Sequence, residues 1–308
     1  MNEDYLWDRT GEPDPETVRL EQLLGQLKYR ESRKPKAPRR SYSPWWLAAA
    51  AVVIAGLLTL PLLRRGPLTN WQLEGGRRLR AGQTITTDSS RTEKLHSQET
   101  GEVTLDPGSR LRLVASSDHE QRFDLRQGAI HAFIWAPPGR FVVDTPSSKT
   151  IDLGCRYTLQ VSKDGTGLLT VEMGWVAFER NHVESFIPAG ASCVTRPAAG
   201  PGTPWFSDAP PALLTALERF DTSADPAALA AAIAATRPRD ALSLWHLMVR
   251  TQGDQRARVF DRLESLITLP HEVTRESVLK GDPQAIDAAW AALNLGDTAW
   301  WREWKRQW

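Results

Sequence analysis

The spacing of apolar residues changes several times along the chain. Near the start, Leu20, Leu23, Leu24 and Leu27 fall at i, i+3, i+4 and i+7, which aligns them on one face of a helix. Asp14 is placed to cap that helix, Pro15 suits its first turn, and Glu16 favours the positive end of its dipole. A lone helix cannot bury such a stripe against itself. The stripe requires a partner protein, a second copy or a membrane surface; a poorly ordered tail with a nascent helix is the plainer reading.

Residues 45–63, WWLAAAAVVIAGLLTLPLL, run nineteen positions without a charge. At about 1.5 Å of rise per residue, a helix of this length nearly matches a hydrocarbon core of about 30 Å. Trp45 and Trp46 at one edge and Arg64 and Arg65 at the other stand where interfacial anchors stand. The run predicts a single transmembrane helix rather than a buried core helix. The forty-four residues ahead of it make an uncleaved signal anchor the expectation, not a cleaved leader. Seven Lys and Arg within 28–40, against five within 64–80, favour an inner-membrane protein with its N-terminus cytoplasmic and its later domains extracytoplasmic. Residues 1–27 are mainly acidic, whereas 28–40 are basic with Pro35 and Pro38 and read as a juxtamembrane linker facing anionic lipid.

Residues 64–81 read as a stalk with Gly66, Pro67, Gly75 and Gly76. From 82 to 195 the period becomes two. Val103 and Leu105 alternate before the turn at 106–109, and Leu111 and Leu113 after it. Further breaks are expected at Gln127–Gly128, at APPG, at TPSS, at Asp164–Gly165 and at Pro188–Ala189–Gly190. Turns at this spacing describe an all-β sandwich, barrel or solenoid. Residues 196–210 are rich in Pro and Gly and read as a linker. Residues 211–308 return to a helical period in segments of about ten to fifteen residues, with starts at Asp225, Asp240 and Asp297 and stops at Gly253, Gly281 and Gly296. Short helices joined by short loops imply a small bundle or a stack of helix pairs. The fold class is therefore mainly β with an α-helical C-terminal domain and one transmembrane helix.

Composition adds mostly exclusions. Thirty-eight Lys and Arg against thirty-seven Asp and Glu leave no basic signature for nucleic acid. Two cysteines are too few for a disulfide scaffold or a four-thiolate zinc site. No nucleophile elbow, P-loop, dinucleotide or metalloprotease motif is present, so no catalytic residue, cofactor or metal is assigned. The six histidines are isolated: His131 alternates with apolar residues along a strand, and His246, in LWHLM, reads as a packed helical residue. The terminal AWWREWKRQW sets Trp300, Trp304 and Trp308 on one helical face. It suits a membrane surface, or more simply the last groove of the helical domain.

The β region carries spaced motifs in order: Gly82, Ile85 and Thr87; Pro107, Gly108 and Ser109 ahead of Leu111 and Leu113; Leu125 and Gly128. Phe141, Val143, Thr145 and Pro146 follow, then Gly154 and Tyr157, then Val171, Gly174 and Val176. Together these resemble the FecR family of membrane-anchored regulators over residues 80–195. The resemblance implies an exported β domain and a cytoplasmic segment that binds an extracytoplasmic-function sigma factor, in signal transduction of the anti-sigma or sigma-regulator kind. By that resemblance Leu20, Leu23, Leu24 and Leu27 would be the sigma-contacting element. An envelope scaffold or binding protein without sigma contact is the alternative, and the envelope protein or ligand it would hold is left unnamed. The helical C-terminus departs from the small α+β domain that docks on TonB-dependent receptors, so iron-citrate sensing does not carry over. Cys155 stands where the family commonly has Thr. In an oxidising compartment Cys193 is its one available partner, and the choice lies between that disulfide and two buried thiols.

Overall fold

The structure, a computed structural model of the chain, describes residues 15–25 and 68–296. The apolar run 45–63, the basic linker, Leu27 and the terminal Trp-rich segment lie outside the described residues. Among the described residues, no helix is long and apolar enough to cross a membrane. The chain divides into two compact units, Met1–Thr59 and Leu60–Trp308. The described part of the first is helix α1 (Pro15–Gly25).

The second unit is mainly β with a helical C-terminal region, as the periodicity predicts. Its strands form two hydrogen-bonded layers. Sheet A runs β2 (Arg78–Arg80), β1 (Leu68–Leu73), β4 (Glu93–Ser97), β5 (Gly101–Leu105), β7 (Gln121–Ile134), β10 (Arg156–Val161), β11 (Gly167–Met173) and β14 (Ala191–Arg196). The short β15 (Gly200–Pro201) and β16 (Trp205–Phe206) pair with β14 at its far edge. Sheet B runs β3 (Thr84–Thr86), β6 (Arg110–Ser116), β7 again, β8 (Phe141–Asp144), β9 (Lys149–Asp152), β12 (Trp175–Arg180) and β13 (Val183–Pro188). Every pairing is antiparallel except β7 with β8.

Strand β7 belongs to both sheets. Its first half pairs with β6 and β8, its second half with β5 and β10. The transfer happens at Gly128, whose φ is +96°. A Cβ there would collide with Ser109, whose hydroxyl accepts from Ala129 N–H (2.9 Å) and lies 3.1 Å from the Ala129 carbonyl. The break expected at Gln127–Gly128 is thus a bend inside one long strand. A second transfer, at Gly174 (φ +76°), has no counterpart in the sequence reading. There a Cβ would strike the Gly154 carbonyl, and the chain leaves β11 in sheet A to start β12 in sheet B.

Alternate residues of both sheets face inward. Val103, Leu105, Leu111, Leu113, Tyr157, Leu159, Leu169 and Val171 are all buried. Each such large apolar side chain gains about 1.5–3 kcal/mol over exposure. In β12 three successive residues, Val176, Ala177 and Phe178, are buried, so this strand is covered on both faces.

The second cover is helical: α2 (Pro211–Ser223), α3 (Pro226–Ala235), α4 (Ala241–Arg250), α5 (Gly253–Leu266), α6 (Arg275–Lys280) and α7 (Pro283–Ala291). Asp225 caps α3 through Ala227 N–H, and Gly281 ends α6 in the left-handed region. Asp240 lies in a 3-10 turn before α4 and bonds Arg237 instead of capping. Gly253 opens α5 and does not close α4. In α4 every residue from Ala241 to Met248 is buried. Residues 196–210, whose Pro/Gly content suggests a connection, hold β15 and β16, and Gly200 to Pro204 are buried. Residues 68–80, read as part of a stalk, supply β1 and β2 of sheet A, with Trp71 fully buried.

Candidate functional site

Helix α1 starts as its sequence dictates, with Pro15 first and Glu16 in the first turn. Leu20, Leu23 and Leu24 are 58%, 60% and 59% exposed. They lie three and four residues apart, so one helical face carries all three. An eleven-residue helix is marginal alone in water, and these leucines have no cover within the described part of their unit.

The two cysteines are free thiols in this structure, both buried, each with its own partner. Cys155 follows β9 and donates to Asp152 Oδ2, while Gly154 N–H donates to Asp152 Oδ1 at 2.7 Å. Burial pushes the Asp152 carboxyl up to about 7 against the pull of those donors. Burial, then the Asp152 charge, raises the Cys155 thiol far above its ordinary range. Cys193 sits in β14 with its sulfur 3.1 Å from the Gly202 carbonyl, and burial pushes it up to about 12. Neither thiol is activated as a nucleophile.

The motif residues prove to be scaffold. Thr87 Oγ1 donates to the Asp106 carbonyl (2.7 Å) and accepts from Ser109 N–H (2.8 Å), which pins β3 to the turn before β6. Thr145 Oγ1 accepts from Ser148 N–H (3.0 Å) and shapes the β8–β9 turn. Gly82 and Gly108 adopt positive φ in turns, and Ile85, Phe141, Val143 and Val176 fill the core. Residues 83–177 match the family model described as FecR protein.

The chain carries a FecR domain. Two crystal structures described as a "putative anti-sigma factor" from Parabacteroides distasonis ATCC 8503 are similar at 15% identity and a TM-score of 0.36, covering 44% of this chain. The chain spans 65% and 64% of those two chains, less than two thirds of either. No curated protein matches it.

The FecR match ends inside β12, yet sheet A is completed only by β14 to β16, beyond it. The helices join there through a buried polar network. Arg250, at the end of α4, donates to Gly202 O (2.9 Å) and to Ser185 Oγ, and pairs with Asp221 of α2 at 3.5 Å. Asp221 also accepts from Thr203 N–H and its hydroxyl, both at 2.7 Å. Burial lowers the Arg250 guanidinium, and Asp221 opposes that shift. His246 accepts from Phe186 N–H (3.0 Å) and donates from Nδ1 to Leu242 O (2.9 Å), which fixes it as a neutral tautomer inside the core. Its sequence reading as a packed residue holds. Among the described residues no group of His, Cys, Asp and Glu could hold a metal. The outward face of sheet A, with His131 and Trp135 in and just after β7 and Thr158 in β10, escaped the sequence reading because the register between strands is what assembles it.

Proposed function

We propose that the chain is a single-pass membrane regulator that passes an envelope signal to a cytoplasmic sigma factor of the extracytoplasmic-function type. The apolar run 45–63 would anchor it with α1 inside and the FecR domain outside. The observation that carries this reading is the exposed stripe of Leu20, Leu23 and Leu24 on a chain with a FecR domain. Docking the stripe in an apolar groove would bury three leucines and complete a helix too short to persist alone.

The test is direct binding of the full chain to a purified sigma factor from the same genome. Leu23→Asp with Leu24→Asp is expected to weaken the complex at least tenfold. Unchanged binding removes the inner half of the reading and leaves an envelope scaffold. A phosphatase joined to the C-terminus is expected to be active outside the membrane; an inactive fusion overturns the orientation.

A further inference from the structure

Cross-strand register lines up polar side chains on the outer face of sheet A. Thr104 of β5 stands opposite His131 of β7, His131 opposite Thr158 of β10, and Thr158 opposite Thr170 of β11. Thr170 faces Ser192 of β14, and Ser192 faces Trp205 of β16. Directly opposed residues share a face, so this is one row across six strands, about 24 Å long at the usual strand spacing. All of these side chains are at least partly exposed. The hydroxyls of Thr158, Thr170 and Ser192 are tied to neighbours on the face. His131 bonds Thr158 Oγ1 (2.9 Å) through Nδ1 and Asp106 (3.1 Å) through Nε2, and Thr170 and Ser192 bond each other at 3.0 Å.

A second row lies one pleat away. Glu102, Phe133, Arg156 and Met173 are opposed in turn across β5, β7, β10 and β11. Arg156 sits 4.4 Å over the Phe133 ring, and Trp135 meets that ring edge-on at 5.6 Å. Trp135 donates Nε1 to Gln98 O (2.9 Å), so its ring is fixed, yet it is 42% exposed; Met173 is 49% exposed. At the other end of the hydroxyl row, Trp205 borders a hollow of about 240 Å³ that Val194, Arg196 and Leu214 also line.

We infer that this face binds a linear, uncharged glycan. Hydroxyl side chains both donate and accept, so they complement a ligand whose own polar groups are hydroxyls. A fixed, exposed indole and a thioether present apolar surface to the C–H face of a sugar ring. Charge on the face argues against a polyanion: Lys94, Arg156 and Arg196 are interspersed with Glu102 and Asp106, with no field of one sign. His96 and His131 each lie against a carboxylate, Glu102 at 3.3 Å and Asp106 at 3.1 Å. This inference does not depend on the sigma-factor reading, because it concerns another surface and is tested by binding alone.

The experiment is calorimetric titration of the full chain, held in a sugar-free zwitterionic detergent, with cellohexaose and with N-acetylchitohexaose. A galacturonic acid hexamer is the charged comparator. Saturable binding of at least one neutral hexamer is expected, at least tenfold tighter than the charged one. Thr158→Val and Thr170→Val keep the strand shape and remove only a hydroxyl, and each should weaken binding severalfold. Trp135→Ala should weaken it at least tenfold, and Trp135→Phe should restore most of it. Absence of saturable binding to either neutral hexamer, equal affinity for the charged hexamer, or unchanged affinity in the valine and alanine variants overturns the inference. A face built for a protein partner would give the first of these results.

Discussion

Asp152 ends β9 with its carboxyl enclosed by Gly154 N–H, the Cys155 thiol and the core. Its carboxyl is pushed up to about 7, chiefly by burial. Because the folded value lies above the unfolded one, the folded state binds the proton more tightly. The stabilisation from that proton is complete below about pH 4 and is lost as pH rises towards 7. Asp152→Asn keeps an acceptor for Gly154 and removes the titration. The variant is therefore expected to gain on the native chain by a few kcal/mol between pH 4 and pH 8 in urea midpoints. A difference that stays constant over that range would disprove the assignment. The sequence showed the unusual cysteine but not its partner. Cys193 was the one thiol it could offer, whereas the structure supplies a carboxylate three residues away, at a bend that periodicity does not encode.

At the scale of elements, period-two patterning found most strands, and turn residues marked most hairpins. Two glycines behaved otherwise. Gly128 and Gly174 transfer the chain between sheets, and at both a Cβ would meet neighbouring atoms. Glycine in a strand pattern signals a turn, a bulge or a close approach, and the sequence does not say which. Gly82 also has positive φ (+85°) but open space around it. Gly82→Ala is thus expected to cost about 1 kcal/mol from backbone strain alone. Gly128→Ala must also displace Ser109, and a loss at least about 2 kcal/mol larger is expected in chemical denaturation. Equal losses would mean that crowding at the bend is unimportant. Gly281 was legible as a helix stop, but the six residues of α6 ahead of it give too little period to read as a segment; the Thr274–Ser277 capping box was a further sign.

Across the whole of the second unit, the helices are fastened to the sheets by charge as well as by apolar burial. Removing one member of a buried pair leaves the other without compensation. Arg250→Ala is expected to destabilise the chain by about 3–5 kcal/mol. Asp221→Ala strands the Thr203 N–H too, so the double variant should cost clearly less than the sum of the singles. Additive losses would show that the two side chains act independently. None of this junction was legible in advance, since Ser185, Gly202, Asp221 and Arg250 come from four separate segments. The leucine stripe was legible, because all of its residues sit on one short helix and local spacing is what a sequence shows best.

The shared strand β7 also bears on the order in which the molecule is made. Its second half has β5 on one side early, but its other neighbour, β10, arrives more than twenty residues later, and β14 later still. Its first half waits for β8, a parallel neighbour reached only after the bend. Neither layer can close before the other is under way, so a chain emerging from its N-terminus holds open strand edges until residues near 206 are available. Such non-local pairing places refolding in the range of milliseconds to seconds rather than microseconds. It makes the nascent chain a natural client for factors that shield strand edges during biogenesis.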